Sequence, residues 1–333
     1  MKKALVVGGS SGVGLSVVLR LLADGHDHVY VVAKAEYPWD VLSKDQYDLL
    51  HDHTSYFKID LTHEDYSWCD TIRDIDTLII TAGFGRVALF EELVEKEISN
   101  LVKCNELAVI QIIRKYYDLI KSDRDFYCAV MVSIAGHLAS PYFSVYGATK
   151  SALAAFIENI NTELNAAGYH NRVLDVSPGS LKGTAFNGKA NIIREIECVA
   201  KEILEHMKNR DTLYIPDYEK TYKNVLERYH NDPVQFGLQS YEYKASSARV
   251  SGKPQVVVGY LSGTFDLFHI GHLNLLRRAK AECDYLIVGV HKSGAWKGKE
   301  TFIPFEERLQ IVGAVKYVDK VVAIIDEKGY RAD

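Results

Sequence analysis

Short apolar runs recur along the first 230 residues, each followed by a stretch whose apolar positions return at helical spacing. Residues 4–7, 29–33, 77–80, 129–133 and 172–176 are such runs, rich in Val, Ile and Leu and mostly bounded by Gly, Pro or Asp, and they predict buried strands. A shorter run at 213–215 predicts a last strand of the same sheet, and 13–23 and 97–120 predict helices between the strands. Strand and helix in alternation give a parallel sheet covered on both faces. From Asn231 to Pro254 the periodicity lapses into Asp-Pro and several serines, which predicts an interdomain connection. Phe236, Tyr241 and Tyr243 within it predict that it lies against a domain. The pattern then restarts with a strand over 255–261, a helix over 273–283 and a strand over 285–290. The expectation is α/β throughout: a doubly wound parallel sheet in 1–230, a linker at 231–254, and a smaller α/β domain in 255–333.

Composition narrows this little but excludes several classes. A chain of 333 residues accommodates two domains, and 47% hydrophobic with 25% charged residues is the balance of a folded globular protein. The net charge of -5 gives no support for a nucleic-acid or membrane-surface partner, both of which need clustered positive charge. Five cysteines, at 69, 104, 128, 198 and 283, are scattered without a C-x-x-C pair and predict reduced thiols. The apolar run after Met1-Lys2-Lys3 ends at Gly8-Gly9, too soon for a secretion signal, and no stretch approaches the roughly 20 apolar residues of a membrane helix. A cytoplasmic location is expected.

The candidate chemistry begins where the first strand ends. Gly8-x-x-x-Gly12-x-Gly14 follows an apolar strand and opens a helix, the setting in which a glycine-rich turn brings backbone N–H groups up to a pyrophosphate. A tight turn without a ligand would show the same triplet. Residues further on decide between the two: Asn105, Ser133, Tyr146-x-x-x-Lys150 and Pro178-Gly179. Tyr146 and Lys150 lie one helical turn apart on one face, where the ammonium favours the phenolate and draws its pKa toward working pH.

Taken together, these residues make 1–230 similar to the short-chain dehydrogenase/reductase family. The resemblance implies a Rossmann-type fold and hydride transfer between a nicotinamide and a carbonyl carbon, with Tyr146 giving the proton to the developing alkoxide. It further implies that Lys150 binds the nicotinamide ribose, Ser133 bonds the substrate oxygen, and Asn105 holds a relaying water. The cofactor would lie along Gly8, Ser10, Ser11, Gly12, Val13, Gly14, Asp60, Leu61, Ala82, Gly83, Tyr146, Lys150, Pro178 and Gly179. After the second strand the chain reads Ala33-Lys34 where NAD users commonly carry an acidic residue. Lys34 there either pairs with a 2′-phosphate or is a solvated surface lysine; the first reading favours NADP(H) over NAD(H). Two departures stand out: Ile80-Thr81-Ala82-Gly83 replaces the family's Asn-Asn-Ala-Gly, and the threonine after Pro-Gly is displaced to Thr184. A homo-oligomer paired through the Tyr146 helix is also implied.

Near the other end, Gly263-Thr264-Phe265-Asp266-Leu267-Phe268-His269-Ile270-Gly271-His272 again follows a strand and enters a helix. Two histidines three apart with no third ligand do not predict a metal site. With Arg277-Arg278-Ala279-Lys280, Lys297-x-Lys299, Glu307-Arg308 and Tyr317-Val318-Asp319, the segment resembles the cytidylyltransferases that make CDP-glycerol and related CDP-alcohols. The resemblance implies a smaller Rossmann-like nucleotidyltransferase domain in which a phosphate oxygen attacks the α-phosphorus of CTP, with Mg. Positioning and charge stabilisation dominate such chemistry. Gly263, Thr264, Phe265, His269, His272, Lys297, Lys299 and Arg308 are the candidate nucleotide and phosphate contacts; the two lysines in a solvated loop are the plainer reading. The sequence stops at Arg331-Ala332-Asp333, before the family's Arg-Thr-Glu-Gly-Ile-Ser-Thr-Thr-like segment, so this domain is expected to be incomplete.

Three functions follow. The first is a reductase that turns a keto-sugar phosphate or similar ketone into a polyol phosphate, fused to a cytidylyltransferase-like domain that activates it for polysaccharide biosynthesis. In the second, the C-terminal piece is a non-catalytic binding or dimerisation module. The third, a dinucleotide sensor or scaffold, has no use for the complete set Asn105, Ser133, Tyr146 and Lys150.

Overall fold

Side chains on a strand alternate between faces, and the first strand shows what this imposes: Ala4 and Val6 enter one core while Leu5 and Val7 enter another. A strand buried on both sides must read as a continuous apolar run, and it does. The computed structural model describes residues 2–37, 42–184, 186, 192–246, 257–283, 285–293 and 300–324. It comprises two units, Met1–Gly252 and Lys253–Asp333.

In chain order the first unit runs β1 (Lys3–Val7), α1 (Gly12–Ala23), β2 (His28–Ala33), α2 (Lys44–His53), β3 (Thr54–Lys58), β4 (Thr77–Ile80), α3 (Glu95–Val102), α4 (Ala108–Ile120), β5 (Tyr127–Met131), α5 (Ser144–Ala166), β6 (Val173–Val176), α6 (Ile193–Lys208), β7 (Leu213–Tyr214), α7 (Lys223–Asn231) and α8 (Pro233–Ser246). The strands form one sheet in the order β3-β2-β1-β4-β5-β6-β7, with every pair parallel. Winding reverses between β1 and β4, which leaves a crevice beyond the carboxyl ends of those strands. One core packs α4 and α5 onto the sheet through Ile112, Tyr116, Leu153 and Ile157; the other packs α1 and α6 through Leu15, Val18, Ile196 and Ile203.

The second unit runs β8 (Val258–Gly263), α9 (Ile270–Ala281), β9 (Tyr285–His291), α10 (Phe305–Gly313) and β10 (Lys320–Ile324). Its parallel sheet has the order β10-β9-β8, which puts β8 at an edge among the described residues. The core is small: Phe265, Leu276, Leu286, Val288, Val290 and Val312. Among the described residues no helix is long and apolar enough to cross a membrane.

Four expectations are refined. The helix over 97–120 is helical throughout but not regular: α3 passes into a π-turn at Lys103–Leu107 before α4 begins. The strand placed at 129–133 lies two residues earlier, so Ser133 stands beyond it as the N-cap of a 3₁₀ turn. Helix α2 and strand β3 were not anticipated, because Leu50 is the only buried residue of α2 and β3, at the sheet edge, has none. The stretch 231–254 is no linker: α8 occupies most of it, and the first unit extends to Gly252 rather than closing near 230.

One fully buried polar side chain ties the far end of this sheet together. Asn171 accepts from Phe126 N–H at 3.1 Å and donates to the carbonyls of Ile120, Ser122 and Arg124 at 3.0, 3.0 and 2.8 Å, closing the turn from α4 into β5. Asn171→Ala leaves those groups without partners, at about 1–3 kcal/mol each for the ones kept from water. Thermal unfolding of this variant is expected to show a loss of about 3 kcal/mol, roughly 10 °C for a unit of this size.

Candidate active site

The glycine turn is shaped by what it touches. Gly8 has φ +91°, and a Cβ placed on it would lie 2.5 Å from Ala82 N; one on Gly14 would lie 2.2 Å from Gly8 O. Gly12 has φ +53°. Side chains are therefore barred at Gly8 and Gly14, and α1 begins in this turn with no side chain capping it at Ser11. Its first N–H groups form an anion site of the kind a pyrophosphate needs, so the residues present fit a dinucleotide. Ser10 and Val13 are buried beside it and Ser11 is exposed. Thr81, where the family pattern has asparagine, donates to Val7 O or Gly8 O, each 3.2 Å away, while its N–H donates to Val7 O at 2.7 Å. A threonine thus supports the turn in the asparagine's place.

Asn105 sits in the π-turn, fully buried. Its Oδ1 accepts from Phe84 N–H at 3.0 Å and its Nδ2 donates to Phe84 O at 2.7 Å. Both ends of the amide bond the backbone of the loop after β4, so this side chain fixes the loop. Gly83 lies directly against it: a Cβ there would meet Asn105 Oδ1 at 3.3 Å and Lys150 Nζ at 3.5 Å.

Ser133, Tyr146 and Lys150 converge. Ser133 Oγ accepts from Ala135 N–H at 3.1 Å. Tyr146, on the first turn of α5, is buried, and burial raises its pKa further than the nearby Ser133 hydroxyl lowers it. Phe143 and Phe186 flank its ring, each 5.3 Å away centroid to centroid. Lys150, one turn on, donates to Met131 O at 2.8 Å and stands 5.8 Å from the Tyr146 ring centre. Burial pulls its pKa down to about 8, against the opposing influence of Cys104 and Asp175. Desolvation is thus the largest influence on both groups, raising Tyr146 and lowering Lys150.

At the end of β2, Lys34 Nζ lies 3.0 Å from Asp60 Oδ2, so two residues assigned to opposite ends of an adenosine pair with each other. Burial acts to raise the Asp60 pKa, but hydrogen bonds from Thr62 and the pairing with Lys34 outweigh it and hold the carboxyl below its ordinary value. Leu61 beside it is buried. Across the crevice, a Cβ on Gly179 would fall 1.5 Å from the Tyr222 hydroxyl, which makes Tyr222 the residue that requires glycine after Pro178.

In the second unit, Gly263 closes β8 and a tight loop leads into α9, with Phe265 and Leu267 both left-handed at φ +51° and +46°. Two bulky residues in that region are genuine strain, of the kind held at ligand sites. The Phe265 ring is buried in the core against Gly263 and His272. His269 caps α9, its Nδ1 accepting from Gly271 N–H at 3.0 Å, and stacks on His272 at 4.1 Å. Burial, and to a lesser degree His269, lowers the His272 pKa.

A family profile described as short chain dehydrogenase matches residues 2–193. The chain belongs to the short-chain dehydrogenase family. A second profile, described as cytidylyltransferase-like, matches residues 260–331. An uncharacterized oxidoreductase of Staphylococcus saprophyticus is 26% identical over 233 residues, 68% of this chain and 85% of that protein. Mouse ethanolamine-phosphate cytidylyltransferase is 42% identical over 81 residues, 23% of this chain and 20% of that protein, so the chain spans a fifth of the length of this relative. Among solved structures, a short chain dehydrogenase from Burkholderia cenocepacia in complex with NADP superposes with a TM-score of 0.58 at 19% identity, covering 72% of this chain and 99% of that one.

Of the second unit's expected phosphate contacts, Lys297 and Lys299 lie outside the described residues, and Arg308 is corrected. Its side chain is fully buried, donating from Nε to Ile303 O at 2.9 Å, from one terminal nitrogen to Thr264 O and His291 O at 2.5 and 2.8 Å, and from the other to Lys292 O at 3.0 Å. It knits the loop after β8 to the end of β9 rather than facing a ligand. Residues that sequence reasoning missed in the short-chain dehydrogenase site are Phe84, Phe143, Phe186 and Tyr222. The doubled glycine Gly83-Phe84-Gly85 was the available signal, since a Cβ on Gly85 would lie 2.8 Å from both Tyr146 and Phe186.

Two measurements follow. Arg308→Ala orphans several buried carbonyls and is expected to cost more than about 3 kcal/mol, abolishing hydrogen-exchange protection in β9 while β4 and β5 keep theirs. For Lys150, a folded pKa below the ordinary lysine value means that the folded chain binds fewer protons than the unfolded one between about pH 8 and 10, so stability rises with pH through that window. Lys150→Met removes this dependence. Its stability relative to wild type should be greatest below pH 8 and should decline as pH rises toward 10; a difference independent of pH would refute the buried cation.

Proposed function

We propose that the first unit is an NADP(H)-dependent reductase of a ketone, with Tyr146 as proton donor, Ser133 holding the carbonyl oxygen and Lys150 holding the cofactor ribose. The carrying observation is that Tyr146 and Lys150, one turn apart on α5, are buried together with Ser133, in a unit whose first helix starts uncapped after the glycine turn. When bound, the cofactor supplies the hydride. Tyr146 is protonated and desolvated, which suits it to donate in the reducing direction. Asn105 acts through Phe84, holding the loop after β4 against the crevice. The NADP(H) preference rests on Lys34 at the end of β2, and the Burkholderia relative's complex with NADP agrees with it. A 2′-phosphate would compete with Asp60 for Lys34, whose side chain is largely exposed and free to turn toward it.

The second unit supports a cytidylyltransferase reading, with CTP and Mg as its ligands and the stacked His269 and His272 at the start of α9 as phosphate contacts. The substrate that unites the two readings is a phosphorylated ketone, such as a keto-sugar phosphate, whose alcohol product a cytidylyltransferase would activate. Assembly as a homo-oligomer through α5 belongs to the same reading.

The deciding experiment supplies NADPH or NADH with a panel of ketose phosphates and follows cofactor oxidation, then adds CTP and measures pyrophosphate release. Tyr146→Phe is expected to lower reduction by at least about 100-fold while leaving NADPH affinity within about twofold. Loss of cofactor binding in that variant would remove Tyr146 from the donor role; absence of NADPH oxidation across the panel would remove the reading itself.

A further inference from the structure

Ser133 and Tyr146 are joined by a single loop, and that loop is held from outside by α8, the helix that replaces the expected linker. Lys244 Nζ donates to Ser140 Oγ at 2.7 Å and to Pro141 O at 2.8 Å, and it stands 5.2 Å from the centre of the Phe143 ring. Tyr241 stacks on Tyr142 with centroids 4.9 Å apart and planes 23° apart. Tyr142 is left-handed at φ +66°, a conformation a tyrosine adopts only when its surroundings hold it. From the other side, Ala88 N–H donates to Tyr142 O at 2.9 Å, so the same residue is pinned to the loop after β4. Phe143 then starts α5 and lies 5.3 Å from the ring of Tyr146.

The rest of α8 does not explain why it is there. None of its residues is buried, and Val234, Leu238 and Tyr243 are exposed. Its contacts with α7, Tyr229 against Phe236 and Arg228 with Gln239, fix its near end. At its far end, Tyr241 and Lys244 meet 140–143, the segment that leads from the Ser133 turn into the helix carrying Tyr146.

We propose that Tyr241 and Lys244 are positioning residues for the reduction: through residues 140–143 they hold Tyr146 at the distance from Ser133 that a bound carbonyl requires. This rests on the reductase reading above. Neither residue touches the reacting atoms, so the effect belongs in turnover rather than in cofactor binding. Misplacing a catalytic group by about 1 Å costs up to about 100-fold in rate.

The test uses the full chain carrying Tyr241→Ala or Lys244→Met. Turnover of the carbonyl substrate with NADPH is expected to fall by about tenfold or more. NADPH affinity should stay within about twofold, and amide exchange at 140–143 should rise in both variants. Tyr241→Phe, which keeps the stacked ring, should return turnover to near wild type. Unchanged exchange at 140–143 overturns the proposal, and so does a rise in exchange with unchanged turnover. A loss of turnover matched by an equal loss of NADPH affinity assigns α8 a general structural role and also overturns it. If the wild-type chain reduces no carbonyl, it is the reductase reading that fails, and the exchange comparison then decides whether α8 holds the loop.

Discussion

The contact between Gly8 and the backbone of Ala82 governs the first unit. Because β1 and β4 pair in parallel side by side, the chain leaving each must pass the other at their carboxyl ends, and there is no room for a side chain at Gly8. That closeness sets the glycine turn, which aims the start of α1 into the crevice. It also places Gly83 against Asn105 and Lys150, so the loop after β4 becomes the floor on which the charged and hydroxyl groups of the site are arranged. A side chain added at Gly8 or Gly14 acts on all of these at once.

The sequence was legible where burial is two-sided. Strands β1, β2, β4, β5 and β6 announced themselves as apolar runs because neither face meets water. Strand β3 did not, since its side chains are only half buried at the sheet edge. The glycine turn and the Tyr146–Lys150 spacing were readable because each needs particular residue types at fixed intervals. Arg308 was not: a guanidinium that binds phosphate and one that binds four carbonyls look the same in sequence, and only burial separates them. The π-turn was equally hidden, because one extra residue per turn leaves the apolar spacing of 97–120 nearly intact. Helix α8 escaped notice for the opposite reason, having no buried face to impose a period.

The two units solve a similar problem with different means. In the first, the positive φ angles of the turn after the leading strand fall on Gly8 and Gly12, where they meet no steric penalty. In the second, Phe265 and Leu267 take left-handed conformations that the packed Phe265 ring and the hydrogen bonds of Asp266 to Phe302 and Ile303 N–H must sustain. The first arrangement is relaxed and the second is held under load. A small core and an internal arginine carry that load.

The position of β8 at the margin of its sheet has a consequence for behaviour in solution. Val258 and Tyr260 project from it half exposed, and among the described residues one whole side of its backbone has no neighbouring strand. Sheet margins of this kind recruit strands from other molecules unless charge, proline or a bulge blunts them, and 258–263 contains none of the first two. In solution this margin is the place where a further strand would add to the sheet, and the modest net charge of -5 would do little to oppose it.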